Sequence, residues 1–328
     1  MTAARLRRGI AALICLSATL CATGAGAQAY PSRPLEFVVH TSPGGGTDNF
    51  ARAVTEILAR EKIVSVPVVV QNRPGGSGAV AFTYVKSKRG DPHVVLTMAT
   101  GSFMSAVTRP DLELGLENYT PIAYFASDPQ AIMVAAGSKF TSFKELLDAA
   151  LREPDTLTAA VTSAGGTARI LLWHLERALG MRTRFVTFKS GGEATLAVVG
   201  GHVQFSPENP SEALSLIESG KMRVLAVTSE KRLPLLPNVP TLVELGYKVT
   251  MGTGRGFVMP AGVPKETAAY MEAALQKVHN SAAWRDYATK NNFENRWMGA
   301  AEFGKYLGAL RADMAEFAKA MATARPEK

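Results

Sequence analysis

Apolar residues along this chain recur at two periods, and the changeover falls on glycines. Residues 35–40 form an apolar run of strand length, and further on Phe50, Ala51, Val54, Ile57 and Leu58 fall at i, i+3, i+4 spacing. The pattern predicts a strand, a turn and an amphipathic helix. The turn reads Thr41-Ser42-Pro43-Gly44-Gly45-Gly46-Thr47-Asp48. Three glycines leave its bend bare, so a ligand can approach the backbone amides, and Asp48 or Thr47 is expected to N-cap the helix. Free N–H groups with the positive end of a helix dipole behind them attract a carboxylate or phosphate. A tight turn with no ligand is the competing reading, because glycine turns are common.

The same grammar continues. Residues 66–71 read as a strand, 72–78 as a second glycine loop (Asn72-Arg73-Pro74-Gly75-Gly76-Ser77-Gly78), 79–86 as a helix and 93–98 as a strand ending at Thr100-Gly101-Ser102. These are βα units, whose post-strand loops lie at the ligand-binding edge of open α/β sheets, so Thr100 and Ser102 join the candidate site. Apolar pieces at 122–125 and 131–135, interrupted by Ser127-Asp128-Pro129, predict a hinge into a second lobe. That lobe repeats the pattern: helix 142–152, strand 157–161, glycine turn 162–167, helix 168–179. Strands at 183–188, 203–206 and 223–227 and helices at 193–199 and 211–219 follow, with a return to the first lobe near 252–257. From residue 264 onward helices are expected at 264–279, 282–290 and 301–321, with Trp284, Trp297, Tyr306 and Phe317 as core or staple residues. Two glycine turns, one per lobe, could close on one anion from opposite sides.

The resulting fold class is α/β in two lobes. Each is expected to hold a mixed, mainly parallel sheet flanked by helices, with crossover strands as the hinge. Residues 28–127 and 253–328 are assigned to lobe 1 and 128–252 to lobe 2.

Residues 1–27 stand outside that fold. Arg5, Arg7 and Arg8 precede an apolar core, and Ala25-Gly26-Ala27 fits a small-residue cleavage site, so a signal peptide and a periplasmic location are expected. Both cysteines, Cys15 and Cys21, lie in this segment, which leaves the mature chain without a thiol. The formal charge of +8 falls to +5 with the three arginines removed, since the segment has no acid. A mildly basic balance suits a small anion, and no Lys/Arg cluster of the nucleic-acid-binding kind is present.

Catalytic motifs are sparse. The five histidines, His40, His93, His174, His202 and His279, sit in no HxH or HExxH spacing, so neither a metal nor another cofactor is expected. No phosphate-loop or dinucleotide fingerprint is present. Gly75-Gly76-Ser77-Gly78-Ala79 approaches a nucleophile elbow but ends in alanine, and loop rigidity explains it better than a hydrolase at Ser77.

Several motifs then coincide in order. Tyr30-Pro31-Ser32-Arg33-Pro34, the Pro43 to Asp48 loop, Asn72 to Gly76, Phe188-Lys189-Ser190-Gly191, Gly220 to Ser229, Leu236 to Thr241 and Pro260-Ala261-Gly262-Val263-Pro264 resemble the tripartite tricarboxylate transporter substrate-binding proteins, also called Bug receptors. The resemblance implies a two-lobed, monomeric receptor of the periplasmic binding protein kind, type II-like, that is not an enzyme. It would hold a small carboxylate between its lobes, partly through ordered water, and deliver it to membrane transporter subunits. The alternative is a receptor that presents its ligand to a sensor kinase; an exported α/β enzyme comes third. Carried onto this chain, the grip positions are Ser42, Gly44, Gly45, Gly46, Thr47 and Asp48 in one lobe. In the other they are Ser163, Gly165, Gly166, Thr167 and Ala168. The chain departs from the family at Glu208-Asn209, where an Asp-Asn pair is usual, and at Gly254-Arg255, where an aromatic is usual. Arg255 is expected to face the cleft and pair with a distal carboxylate. Glu208 either accepts from a ligand hydroxyl or amine or caps the helix at Ser211.

Overall fold

The computed structural model describes residues 30–107, 110–162, 166–188 and 191–323. Two sheets organise them. The first holds β1 (Leu35–Val39), β2 (Val68–Asn72), β3 (Val94–Ala99), β4 (Tyr119–Pro129), β10 (Gly252–Pro260) and β11 (Glu294–Gly299), in the spatial order β11-β4-β10-β3-β1-β2. The second holds β5 (Ala131–Ala135), β6 (Thr158–Val161), β7 (Arg184–Thr187), β8 (Phe205–Glu208) and β9 (Met222–Val227), ordered β7-β6-β8-β5-β9.

Both sheets are mixed, and their parallel part is confined to the βα units. Strands β2, β1 and β3 run parallel, as do β7, β6 and β8; every pairing made by β4, β10, β5, β9 or β11 is antiparallel. The reason is the double passage between lobes. A strand that leaves a sheet must be matched by one that returns, and the two lie side by side in opposite directions.

Strand β3 is buried at every position, as a central strand covered on both faces requires. Alternation divides the side chains: Leu35, Phe37 and Val95 enter one core with Phe50, Phe125, Phe257 and Trp284, while Val38, Leu96 and Met98 enter the other with Phe82, Phe103 and Phe303. Helix α1 (Gly46–Arg60) buries Phe50, Ala51, Val54, Ile57 and Leu58, the stripe its sequence announces. The second sheet is likewise sandwiched, with Ile132, Val134 and Phe205 on one side and Ala131, Met133 and Ala160 on the other.

Four local expectations change. The strand expected at 203–206 lies at Phe205–Glu208, with Val203 buried in the core just before it, and Glu208 becomes a strand terminus instead of a helix cap. Ser127, Asp128 and Pro129 do not interrupt the strand: they continue β4 and pair with Gly254, Thr253 and Gly252. The chain passes between the sheets at Gln130, whose backbone N–H donates to Thr228 Oγ1 at 2.9 Å. Strand β11 was not expected among the C-terminal helices: it is a half-exposed edge with no apolar alternation to reveal it. Finally, residues 100–102 begin a helix, α3 (Thr100–Val107), directly after β3.

Helices α2 (Ala79–Ser87) and α4 (Phe143–Arg152) follow the expected spans, and so do α5 (Thr167–Leu179), α6 (Gly191–Val199) and α7 (Leu214–Glu218) to within a few residues. Helices α8 (Lys265–His279) and α9 (Ala282–Lys290) pack on the first sheet. Helix α10 (Ala300–Thr323) reaches further: Phe317 meets Trp173 of α5 with ring centroids 5.5 Å apart, and Arg177 pairs with Glu316 at 3.1 Å.

Candidate functional site

The glycine turn after β1 is shaped by Asp48, though not by helix capping. Gly45, in extended backbone, is the N-cap of α1 and no side chain caps it. Asp48 instead folds back to accept from the Gly44 N–H at 2.8 Å and from Asn72 Nδ2 at 2.8 Å, while Arg52 donates to it at 2.9 Å. Burial disfavours its charge, but those donors hold the carboxyl below its usual range. The same Asn72 amide also reaches the Thr41 carbonyl. Gly44, at φ +82°, supplies the left-handed residue that lets the chain turn back. Asp48 is therefore a brace for the loop and does not line the cleft; its side chain is 1% exposed. Thr100 is a brace as well, accepting from the Gly254 N–H at 2.9 Å.

Between the sheets lies a cavity of about 1060 Å³. Among the expected site residues, Ser42, Gly44, Gly45, Gly46 and Thr47 line it from the first lobe with Ser102 and Arg255, and Gly166, Thr167, Ala168, Glu208 and Asn209 line it from the second. Ser163 and Gly165 lie outside the described residues. Helices α1 and α5 both begin at the cavity wall, with Gly45 and Gly166 as extended N-caps and no side-chain cap on either. Their first-turn N–H groups, Gly46 and Thr47 on one side and Thr167 and Ala168 on the other, have no intrahelical acceptor. The cavity thus has oriented donors and positive dipole ends on opposing walls.

Sequence reasoning missed much of the rest of the wall. Ser77 and Gly78 of the second glycine loop, Asp128, Gln130, Glu212, and Tyr287 with Phe293 from the C-terminal region all line it. The glycine loop at 74–78 was a usable signal. Nothing local marked Asp128 or Glu212.

Those two residues belong to a buried charge cluster. Arg255 is 3% exposed and donates to Asp128 Oδ2 at 2.5 Å and to Thr47 Oγ1 at 3.1 Å, which ties the return strand to both the crossover strand and the glycine turn after β1. Arg255 lines the cavity, and there its guanidinium pairs with Asp128. Glu212 reaches across from the second lobe: a Cβ placed on Gly46 would lie 3.3 Å from Glu212 Oε1 and 3.0 Å from Arg255 Nη2. Gly191 donates its N–H to Glu212. Burial raises all three carboxyls of the cluster: Asp128 to about 6 despite Arg255, Glu208 to about 8 with the charge of Glu212 adding to burial, and Glu212 upward against the pull of Arg255. His40 is pushed down to about 4 by burial and by Arg255, so it is neutral at neutral pH.

Two α/β lobes joined by paired crossover strands, with helix N-termini opposed across a cavity, define a two-lobed solute-binding protein. The chain belongs to the tripartite tricarboxylate transporter family of receptors, whose family model matches residues 50–316. It is a family of solute-binding receptors and not of enzymes. A TctC solute-binding protein from Polaromonas, solved without ligand, is 29% identical and superposes with a TM-score of 0.71 over 88% of this chain and 99% of that one. Two Rhodopseudomonas palustris proteins share the fold at 23% identity and TM-score 0.77. One is MatC with bound malate, covering 88% of this chain and 99% of that one; the other carries adipate, covering 88% and 97%.

Proposed function

We propose that this protein is a periplasmic receptor, acting as a monomer, that closes on a small carboxylate and delivers it to the membrane subunits of a tripartite transporter. The observation that carries the reading is the opposition of the α1 and α5 N-termini across one cavity. A carboxylate has two oxygens with several acceptor sites, so backbone donors from both walls can share it. Binding then favours the closed form, because an open form offers only one wall. The malate and adipate held by the two relatives belong to this ligand class.

Thermal unfolding of residues 28–328 against mono-, di-, tri- and aromatic carboxylates tests it. A ligand at about a thousand times its Kd adds roughly 4 kcal/mol, enough to raise the midpoint by several degrees. An unchanged midpoint with every carboxylate, after denaturation and refolding to strip carried-over ligand, would remove the reading.

Closure itself can be probed at Gly101, in the first turn of α3. A Cβ there would overlap Thr167 Oγ1 and stand 3.1 Å from the Thr167 backbone nitrogen, across the cleft. Gly101→Ala is expected to leave unfolding stability within about 1 kcal/mol, since alanine is the better helix former. Carboxylate affinity should fall by roughly tenfold or more, because the added methyl acts on the closed form alone. Calorimetric titration of both proteins with the best carboxylate checks this; equal affinities would mean that Gly101 and Thr167 do not set the closed geometry.

A further inference from the structure

We propose that the carboxylate taken by this cleft also carries a positively charged nitrogen, and that Glu208 is the acceptor for that nitrogen. The proposal rests on the receptor reading and deepens it by adding a second pole to the site.

The donor pole is the pair of helix N-termini. The opposite pole is made of acceptors. Glu208 is 3% exposed, lines the cavity, and leaves its Oε1 without a hydrogen-bond partner; among the described residues Thr162 donates to the group. Gln130 is 1% exposed, lines the same cavity, and leaves its Oε1 unpartnered too. Gln130 directly precedes Ala131, the register partner of Glu208. A buried acceptor without a donor is costly, more so when charged, so two of them lining one cavity ask for a ligand donor.

Charge selects the kind of donor. Among the described residues lining the cavity, Asp128, Glu208 and Glu212 are acidic and Arg255 is the one guanidinium, with His40 held neutral. Arg255 already serves Asp128 and stands beside Glu212. The charges that act most on Glu208 are the carboxylates of Glu212 and Asp128. A second ligand carboxylate would meet repulsion here. An ammonium offers three donors and the missing charge. With its carboxyl raised to about 8, Glu208 holds a proton at neutral pH in the empty cleft and would release it when a cation arrives.

The experiment uses matched probes that differ by one ammonium: succinate and aspartate, glutarate and glutamate, adipate and 2-aminoadipate. Each is titrated calorimetrically into residues 28–328 at pH 7, in two buffers of different ionisation enthalpy, with wild type and Glu208→Gln. The amino member of at least one pair is expected to bind at least tenfold more tightly and to release a proton. Glu208→Gln is expected to abolish that preference while the amine-free probe keeps or gains affinity. Amine-free probes that bind as well as or better than their amino counterparts, or that bind with proton uptake, overturn the assignment and leave the receptor reading standing. Silence from every probe overturns the assignment, and the receptor reading is then decided by the wider carboxylate panel. The wild-type comparison decides even where the variant fails to fold.

Discussion

Arg255→Ala is expected to lower the unfolding free energy by about 3–5 kcal/mol at pH 8, the usual cost of removing one partner of a buried ion pair. Both members are sealed from water, with side chains 4% and 1% exposed at a separation of 2.5 Å. Removing the guanidinium deprives Asp128 and Glu212 of the group that does most to draw their carboxyls back toward the normal range. Their pH dependence gives a second signature. An acid whose folded pKa lies above its unfolded value contributes most stability below the unfolded value and loses it as pH rises toward the folded one. For Asp128 that window runs from 3.8 to about 6. Without Arg255 the folded values climb further, so the window extends upward and the deficit of the variant should grow with pH. Urea unfolding at pH 5 and pH 8 measures it. Adding Asp128→Asn to Arg255→Ala should restore part of the loss, because the stranded charge is gone. A deficit under about 1 kcal/mol, equal at both pH values, contradicts the account.

Glu208→Gln is expected to act in the opposite direction. In the folded chain Glu208 titrates at about 8 instead of 4.5, so wild type is fully supported below pH 4.5 and loses stability steadily up to about pH 8. At about 1.4 kcal/mol per pH unit that interval is worth a few kcal/mol, with full burial as its physical source. Glutamine resembles the protonated acid and has no charge to bury. The variant and wild type should therefore agree near pH 4.5, and the variant should be the more stable by a few kcal/mol above pH 8. Melting curves of the ligand-free proteins across pH 4.5 to 8.5 test this. Parallel curves would mean that Glu208 is not confined as its surroundings indicate. A natural sequence that keeps such a residue in its cleft tolerates a cost that a bound ligand can offset.

The Thr41 to Asp48 turn was legible because its determinants are neighbours in the chain: an apolar strand, three glycines and a helix stripe within about twenty residues. The role of Asp48 was not, since Asn72, one of its partners, arrives from the next βα unit. The same limit hid the cluster. Arg255 meets Asp128 across 127 residues of chain, and a pattern confined to a window of local spacing carries no trace of that meeting. Asp128 looked like part of a loop because an acid between serine and proline usually is. Pairing with β10 makes it buried strand instead.

By itself the sequence determined the α/β class, the alternation of strands and helices, the position of the glycine turn after β1 and the family motifs, since these rest on periodicity and on residue types acting within one or two turns of chain. The tertiary structure alone decided the antiparallel crossovers, the β11 edge and the opposition of the two helix N-termini across one cavity. It also decided which carboxylates lose their water and which of them receives the single arginine. Burial and charge pairing depend on distances between remote segments, and those distances exist only once the two lobes have come together.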